Sequence, residues 1–158
     1  MEFESIYNQY WDRIFRLCMG YVNDEELAKD LCQETFIKVW KNLSSFRGDS
    51  AITTWIFRIA SNTCLRQIER NKVRISSKLN EDLAEEKLPD KESQIKLLYS
   101  FISELPEVDR IIISLELDNI NQSEIAQIVG LSPGNIRVRI HRIKDQLTKK
   151  FQQYASQY

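Results

Sequence analysis

Within little more than two turns of helical spacing the chain sets out Asn135, Arg137, Arg139, His141 and Arg142, preceded by Ser132-Pro133-Gly134. Guanidinium forks bridge guanine edges or hold phosphates, and an amide or imidazole can meet further base atoms. Ser132 is a favoured N-cap and Pro133 a favoured first helical residue, so a helix N-terminus able to take a phosphate is expected there. Upstream, Arg47, Arg58, Arg66, Arg70, Lys72 and Arg74 make a second basic set, with Trp55 and Asn62 interleaved. A positive track with an aromatic face and a polar pocket suits unpaired single strands, whose bases stack for roughly 1–3 kcal/mol each. Core packing is the competing reading for Trp55, and solvated surface charge for the arginines. No nucleophile–base pair, metal-ligand cluster or glycine-rich phosphate loop is present in the sequence. The chemistry on offer is therefore recognition of a polyanion, with no catalysis, metal or cofactor expected.

A net charge of −1 says little for a nucleic-acid partner, but the distribution says more. Residues 1–46 hold five basic and eight acidic groups, and residues 47–78 hold seven and two. Residues 79–121 hold four and eleven, and residues 122–158 six and two. Two basic islands separated by an acidic stretch suit two separate contacts with a polyanion. The length of 158 residues fits one ordinary domain or two small ones. With 42% hydrophobic and 28% charged residues the chain is globular, and with 4 glycines and 3 prolines long helices are the default. No apolar run approaches the roughly 18 residues of a membrane span. The acidic start Met1-Glu2-Phe3-Glu4 lacks the basic opening of a secretory signal, so a cytoplasmic protein without direct membrane insertion is expected. Cys18, Cys32 and Cys64 form no CxxC pair and sit among apolar residues, which suits small core side chains in a reducing compartment.

These residues need helices to position them. Phe3, Ile6, Tyr7, Tyr10, Trp11, Ile14, Phe15, Cys18 and Tyr21 recur at three and four, the mark of an amphipathic helix. Asn23-Asp24 predicts a stop and restart, and Leu27, Leu31, Cys32, Phe36, Val39, Trp40 and Leu43 a second helix, with Phe36 and Trp40 packing inward. A connector over Ser44 to Ser50 leads to a third helix with Ile52, Trp55, Ile56, Ile59 and Thr63 inward. Periodicity fades over 73–93, which predicts a flexible linker. It resumes through Ile95, Leu98, Ile102 and Leu105, then Val108, Ile111, Ile112 and Leu115. The expected fold is all-α: two small helical domains, 1–72 and 94–158, joined by the linker 73–93.

The stretch from Ser123 to Arg142 has the pattern of a helix-turn-helix. Asn121 and Glu124 make a capping pair, Ala126 allows close helix approach, and Gly130 supplies the turn. Ile136, Ile140, Ile143 and Leu147 form an inward stripe. At about 100° per residue that stripe leaves Val138, His141 and Arg142 outward, flanked by Asn135, Arg137 and Arg139, as a helix in the DNA major groove would require. A stand-alone helix-turn-helix regulator is the alternative reading, and a purely protein-binding helical adaptor a further one.

The run Asp30-Leu-Cys-Gln-Glu-Thr-Phe-Ile-Lys-Val-Trp40 resembles the polymerase-binding helix of sigma-70 family factors, specifically the extracytoplasmic-function group. Phe46-Arg-Gly-Asp-Ser-Ala-Ile-Thr-Thr-Trp-Ile-Phe-Arg-Ile-Ala-Ser-Asn62 resembles their promoter-melting segment, and the helix-turn-helix their fourth conserved region. The resemblance covers both domains in order. It implies a non-enzymatic sigma factor that binds core RNA polymerase, through its clamp helices and flap, and promoter DNA. It implies polymerase binding by Asp30, Gln33 and Glu34, and −10 contact by Arg47, Trp55, Arg58, Asn62 and Arg66. The −35 set it implies is Ser132, Asn135, Arg137, Val138, Arg139, His141 and Arg142. An anti-sigma partner is a further implication. Asn135 stands where the family often has Thr, which bears on the promoter sequence rather than the fold.

Overall fold

A computed structural model describes residues 2–75 and 90–157, the side chains of 68–75 excepted. Among these residues seven α-helices run in order: α1 (Phe3–Val22), α2 (Glu25–Asn42), α3 (Ile52–Ile75), α4 (Lys91–Ser103), α5 (Glu107–Leu117), α6 (Gln122–Val129) and α7 (Pro133–Gln157). The all-α expectation holds. Most of the expected 73–93 linker lies outside the described residues, although α3 continues to Ile75 and α4 begins at Lys91.

The helix boundaries follow from local chemistry. Asn23 takes a left-handed conformation (φ 47°) that ends α1, and the Asp24 carboxylate accepts the Leu27 amide at 3.0 Å to start α2. Asp90 accepts from the Ser93 amide at 2.9 Å, opening α4. The Asn121 side chain accepts the Glu124 amide at 2.9 Å, Gly130 ends α6 at φ 77°, and the Ser132 hydroxyl accepts the Asn135 amide at 3.2 Å. The expected caps of the helix-turn-helix are thus in place.

Helices α1, α2 and α3 pack on one another as a three-helix bundle, and α4–α7 form a second unit. The first core holds Ile6, Tyr10, Ile14, Cys18, Tyr21, Ala28, Leu31, Cys32, Phe36, Val39, Ile56, Phe57, Ala60 and Cys64. All three cysteines are free and buried, and the Cys18 and Cys64 sulfurs lie 3.8 Å apart. Contact with Cys64 and burial hold the Cys18 thiol well above its ordinary value, and burial pushes Cys32 up as well, as suits core side chains rather than reactive thiols.

Three inward assignments shift. Trp40 is 63% exposed, not packed inward. It lies one position past Val39 on the buried 28–32–35–39 stripe, and that one step turns the ring out by about 100°. On α3 the deepest positions are Ile56, Phe57, Ala60 and Cys64, while Ile52, Trp55 and Ile59 are only half-buried. On α4 Leu97 is buried and Ile95 exposed. The two units also lie against each other, with α1 and α3 facing α4, α5 and α6.

Candidate nucleic-acid interface

On α7 the inward stripe is as expected: Ile136, Ile140, Ile143 and Leu147 are all buried. They pack α7 onto α5 and α6. Opposite them Val138 is 65% exposed, and Asn135, Arg137, His141 and Arg142 are exposed too. An open groove beside Arg137, His141 and Lys144 reaches back to Gln122 at the start of α6. Ser132 sits exposed at the helix N-terminus, where the dipole and free amides favour an anion.

Arg139 is placed differently from its neighbours. It is half-buried, donating to Asn135 Oδ1 at 2.8 Å and to Asp109 Oδ1 at 2.9 Å. Arg142 approaches the other Asp109 oxygen at 3.9 Å. Asp109, on α5, is itself buried, so these arginines neutralise a carboxylate that would otherwise be stranded. Sequence periodicity placed Arg139 beside the outward face but could not reveal an acid 30 residues away. The pair fixes the orientation of α7 on α5. Asp109→Ala is expected to cost about 2 kcal/mol, the worth of a charge-assisted hydrogen bond, while Asp109→Asn recovers part because the amide still accepts. Thermal unfolding followed by circular dichroism checks this; equal melting of all three proteins would contradict it.

On α3, Trp55, Arg58, Asn62 and Arg66 recur at three and four and share one face. Asn62 and Arg66 are exposed. Trp55 is half-buried against Phe46, with ring centroids 4.9 Å apart, so packing and presentation coexist. Arg47 is exposed in the connector, beside Gly48 at φ 77°. Arg58 donates to the Gln127 carbonyl of α6 at 3.2 Å. The remaining basic residues of this island, Arg70, Lys72 and Arg74, have side chains outside the described set.

On α2, Asp30, Gln33 and Glu34 are exposed together, and Glu34 pairs with Lys38 at 3.2 Å. The same face continues through Ile37, 53% exposed, and Trp40. Positions 30, 33, 34, 37 and 40 form one helical stripe, so the polar triad leads into an apolar patch that the sequence reading missed. The available signal was the buried stripe itself, which excludes position 40 once Val39 is inward. Large exposed apolar groups rimmed by polar ones mark a protein-binding surface.

Among the described residues no cluster of His, Cys, Asp and Glu could hold a metal ion, and no helix is long and apolar enough to cross a membrane.

Comparison with known proteins assigns these two units. Sigma-70 region 2 matches residues 6–74, and sigma-70 region 4 matches residues 95–147. The extracytoplasmic-function RNA polymerase sigma-E factor of Salmonella typhimurium is 32% identical, over 95% of this chain and 86% of the relative. The RNA polymerase sigma-H factor of Pseudomonas aeruginosa is 31% identical over the same shares. The sigma factor RpoE of Bartonella quintana, solved in complex with the anti-sigma factor NepR, has the same fold, with a TM-score of 0.77 and 20% identity over 95% of this chain and 96% of that one. CnrH, solved with the cytosolic domain of CnrY, gives a TM-score of 0.72 at 22% identity over 95% and 87%. A stand-alone helix-turn-helix regulator would not account for the region 2 match. The chain belongs to the sigma-70 family as an extracytoplasmic-function sigma factor, a non-enzymatic protein that directs transcription initiation through promoter recognition by regions 2 and 4.

Proposed function

We propose a division of labour between the two units, with boundaries at 1–72, 73–93 and 94–158. The first domain binds the clamp helices of core RNA polymerase through Asp30, Gln33 and Glu34, extended by Ile37 and Trp40. It captures the melted non-template strand of the −10 element with Arg47, Trp55, Arg58, Asn62 and Arg66. The second domain docks on the polymerase flap and meets the −35 duplex through Ser132, Asn135, Arg137, Val138, His141 and Arg142, with Arg139 shared between DNA and Asp109. The α2 stripe carries this reading: a solvent-facing tryptophan beside an acidic and amide triad needs a protein partner, and DNA would be repelled by the acids.

Neither domain alone offers a large DNA contact, and phosphate contacts weaken with salt. Linkage raises the effective concentration of the second contact once the first has formed. The protein works where the polymerase is, in the cytoplasm. An anti-sigma partner is part of the proposal, in line with the complexes in which RpoE and CnrH were solved.

The test is run-off transcription with core polymerase on a genomic promoter library, with and without the protein. Start sites that appear only with the protein are the expected result; none at any concentration would refute the reading. On one such promoter, Arg137→Ala is expected to weaken duplex binding across sequences and to reduce the salt dependence of log K by about one. An unchanged slope would remove Arg137 from the interface.

A further inference from the structure

Three side chains on two helices form a hydrogen-bonded chain that ends on the outward face of α7. Asp109 lies in the first turn of α5 and is 4% exposed. Its Oδ1 accepts from Arg139 Nη1 at 2.9 Å, and its Oδ2 lies 3.9 Å from Arg142 Nη2. Arg139 Nε in turn donates to Asn135 Oδ1 at 2.8 Å, one turn nearer the start of α7. The Asn135 backbone is fixed as well, its amide donating to the Ser132 hydroxyl at 3.2 Å. A buried acid thus reaches an exposed amide through one guanidinium.

The direction of each bond in this chain is forced. A guanidinium only donates, so the atom of Asn135 that faces Arg139 Nε is the carbonyl oxygen. The Nδ2 group, on the other side of the planar amide, is left to meet a ligand. Asparagine pairs with adenine through both ends, accepting from N6 and donating to N7. With Oδ1 engaged by Arg139 that two-ended pairing is disfavoured, and the outward group is a donor. Guanine presents two acceptors, N7 and O6, on the same edge. Two of the three Arg139 guanidinium nitrogens are occupied within the protein. The long side chain is therefore ordered before any partner arrives, and less freedom is lost on binding.

We propose that Asp109 is a positioning residue for promoter reading: through Arg139 it holds Asn135 as a hydrogen-bond donor, and so gives the −35 contact a preference for guanine over adenine at the base that Asn135 meets. The base preference rests on the −35 contact proposed above; the orientation of the amide does not. Asp109 itself is buried on α5 and touches no DNA. Without it Arg139 is released, Asn135 Oδ1 is free to accept, and the amide can turn to pair with adenine. A freed guanidinium also gains reach to phosphates, which carry no sequence information. Loss of Asp109 therefore lowers discrimination without lowering affinity for DNA in general. Loss of the fold would instead weaken binding to all DNA alike.

The test uses core polymerase with the full chain, on a promoter that depends on the protein and on derivatives in which each −35 base pair is replaced in turn. Competition between templates in run-off transcription reads the relative use of each base. Wild type is expected to favour guanine over adenine at one position by about fivefold or more, the lower end of base-pair discrimination. Asp109→Ala should bring that ratio to within about twofold of unity. Asp109→Asn, whose amide oxygen still accepts from Arg139, should retain most of it. Asn135→Ala should abolish the ratio, and adding Asp109→Ala to it should change nothing further at that position, because the acid acts through the amide. Should Asp109→Ala melt below the assay temperature by circular dichroism, Asp109→Leu fills the buried site without an acceptor and carries the same expectation. Binding of the full chain alone to a duplex without promoter elements, by fluorescence anisotropy at low salt, should be equal or tighter for the variant. A wild type with no such position, an unchanged guanine preference without the acid, or an equal loss on all DNA overturns the positioning role. No promoter-specific transcript from any of the proteins overturns the promoter reading itself, and the base preference with it.

Discussion

Trp40→Ala is expected to weaken binding to core polymerase by about 30-fold or more, the effect of removing an interface anchor worth about 2 kcal/mol or above. The ring is 63% exposed, so truncation removes contact area without opening a cavity, and the melting temperature is expected to stay within a degree or two. Tryptophan contributes most where it is desolvated at the centre of an interface, and Asp30, Gln33, Glu34 and Ile37 are exposed on the same face and would form the rim in the proposed contact. Gln33→Ala should lower affinity less, because a rim amide that is replaced by water loses little. Neither change should alter binding of the isolated −35 duplex. Fluorescence anisotropy of labelled protein titrated with core polymerase measures this directly; wild-type affinity for the Trp40 variant would remove the α2 stripe from the polymerase contact.

Phe57→Ala is expected to destabilise the first domain by about 3–5 kcal/mol. The ring is fully buried between the helices, and the Arg13 guanidinium lies over it at 5.1 Å from the centroid. Its removal therefore leaves a cavity in a three-helix core and withdraws a cation–π contact. Small domains have total stabilities of about 5–15 kcal/mol, so a loss of that size consumes much of the margin. Urea unfolding should show a lower midpoint at a similar slope. Ile59→Ala, half-buried on the same helix, should cost clearly less, and equal losses would mean that the α3 face is mis-assigned.

Much of the architecture was legible in the sequence because it depends on neighbours within a turn or two. Asn23-Asp24, Asn121 with Glu124, Gly130 and Ser132 act through φ preference and through side chains that reach amides three residues on, and each does so in the structure. The Ile136, Ile140, Ile143 and Leu147 stripe was equally clear, since four apolar residues at strict helical spacing allow one inward face. The outward positions of Val138, His141 and Arg142 followed from it. The weaker stripes on α2, α3 and α4 misled by one position, at Trp40, at Phe57 and at Leu97. Apolar residues there occur on adjacent positions, and periodicity cannot choose which of two neighbours faces the core.

By itself the sequence determined the helices, their caps, the outward face of α7 and the family, all properties of short stretches and their order. Only the tertiary structure decided that Trp40 faces solvent, that Arg139 is tied to Asp109, and that Asp118 is held by Arg13 and Arg16 from the other domain. The physical reason is sequence separation: a buried carboxylate and its guanidinium partner about a hundred residues away carry no local pattern, and only the packing of α1 on α5 brings them together.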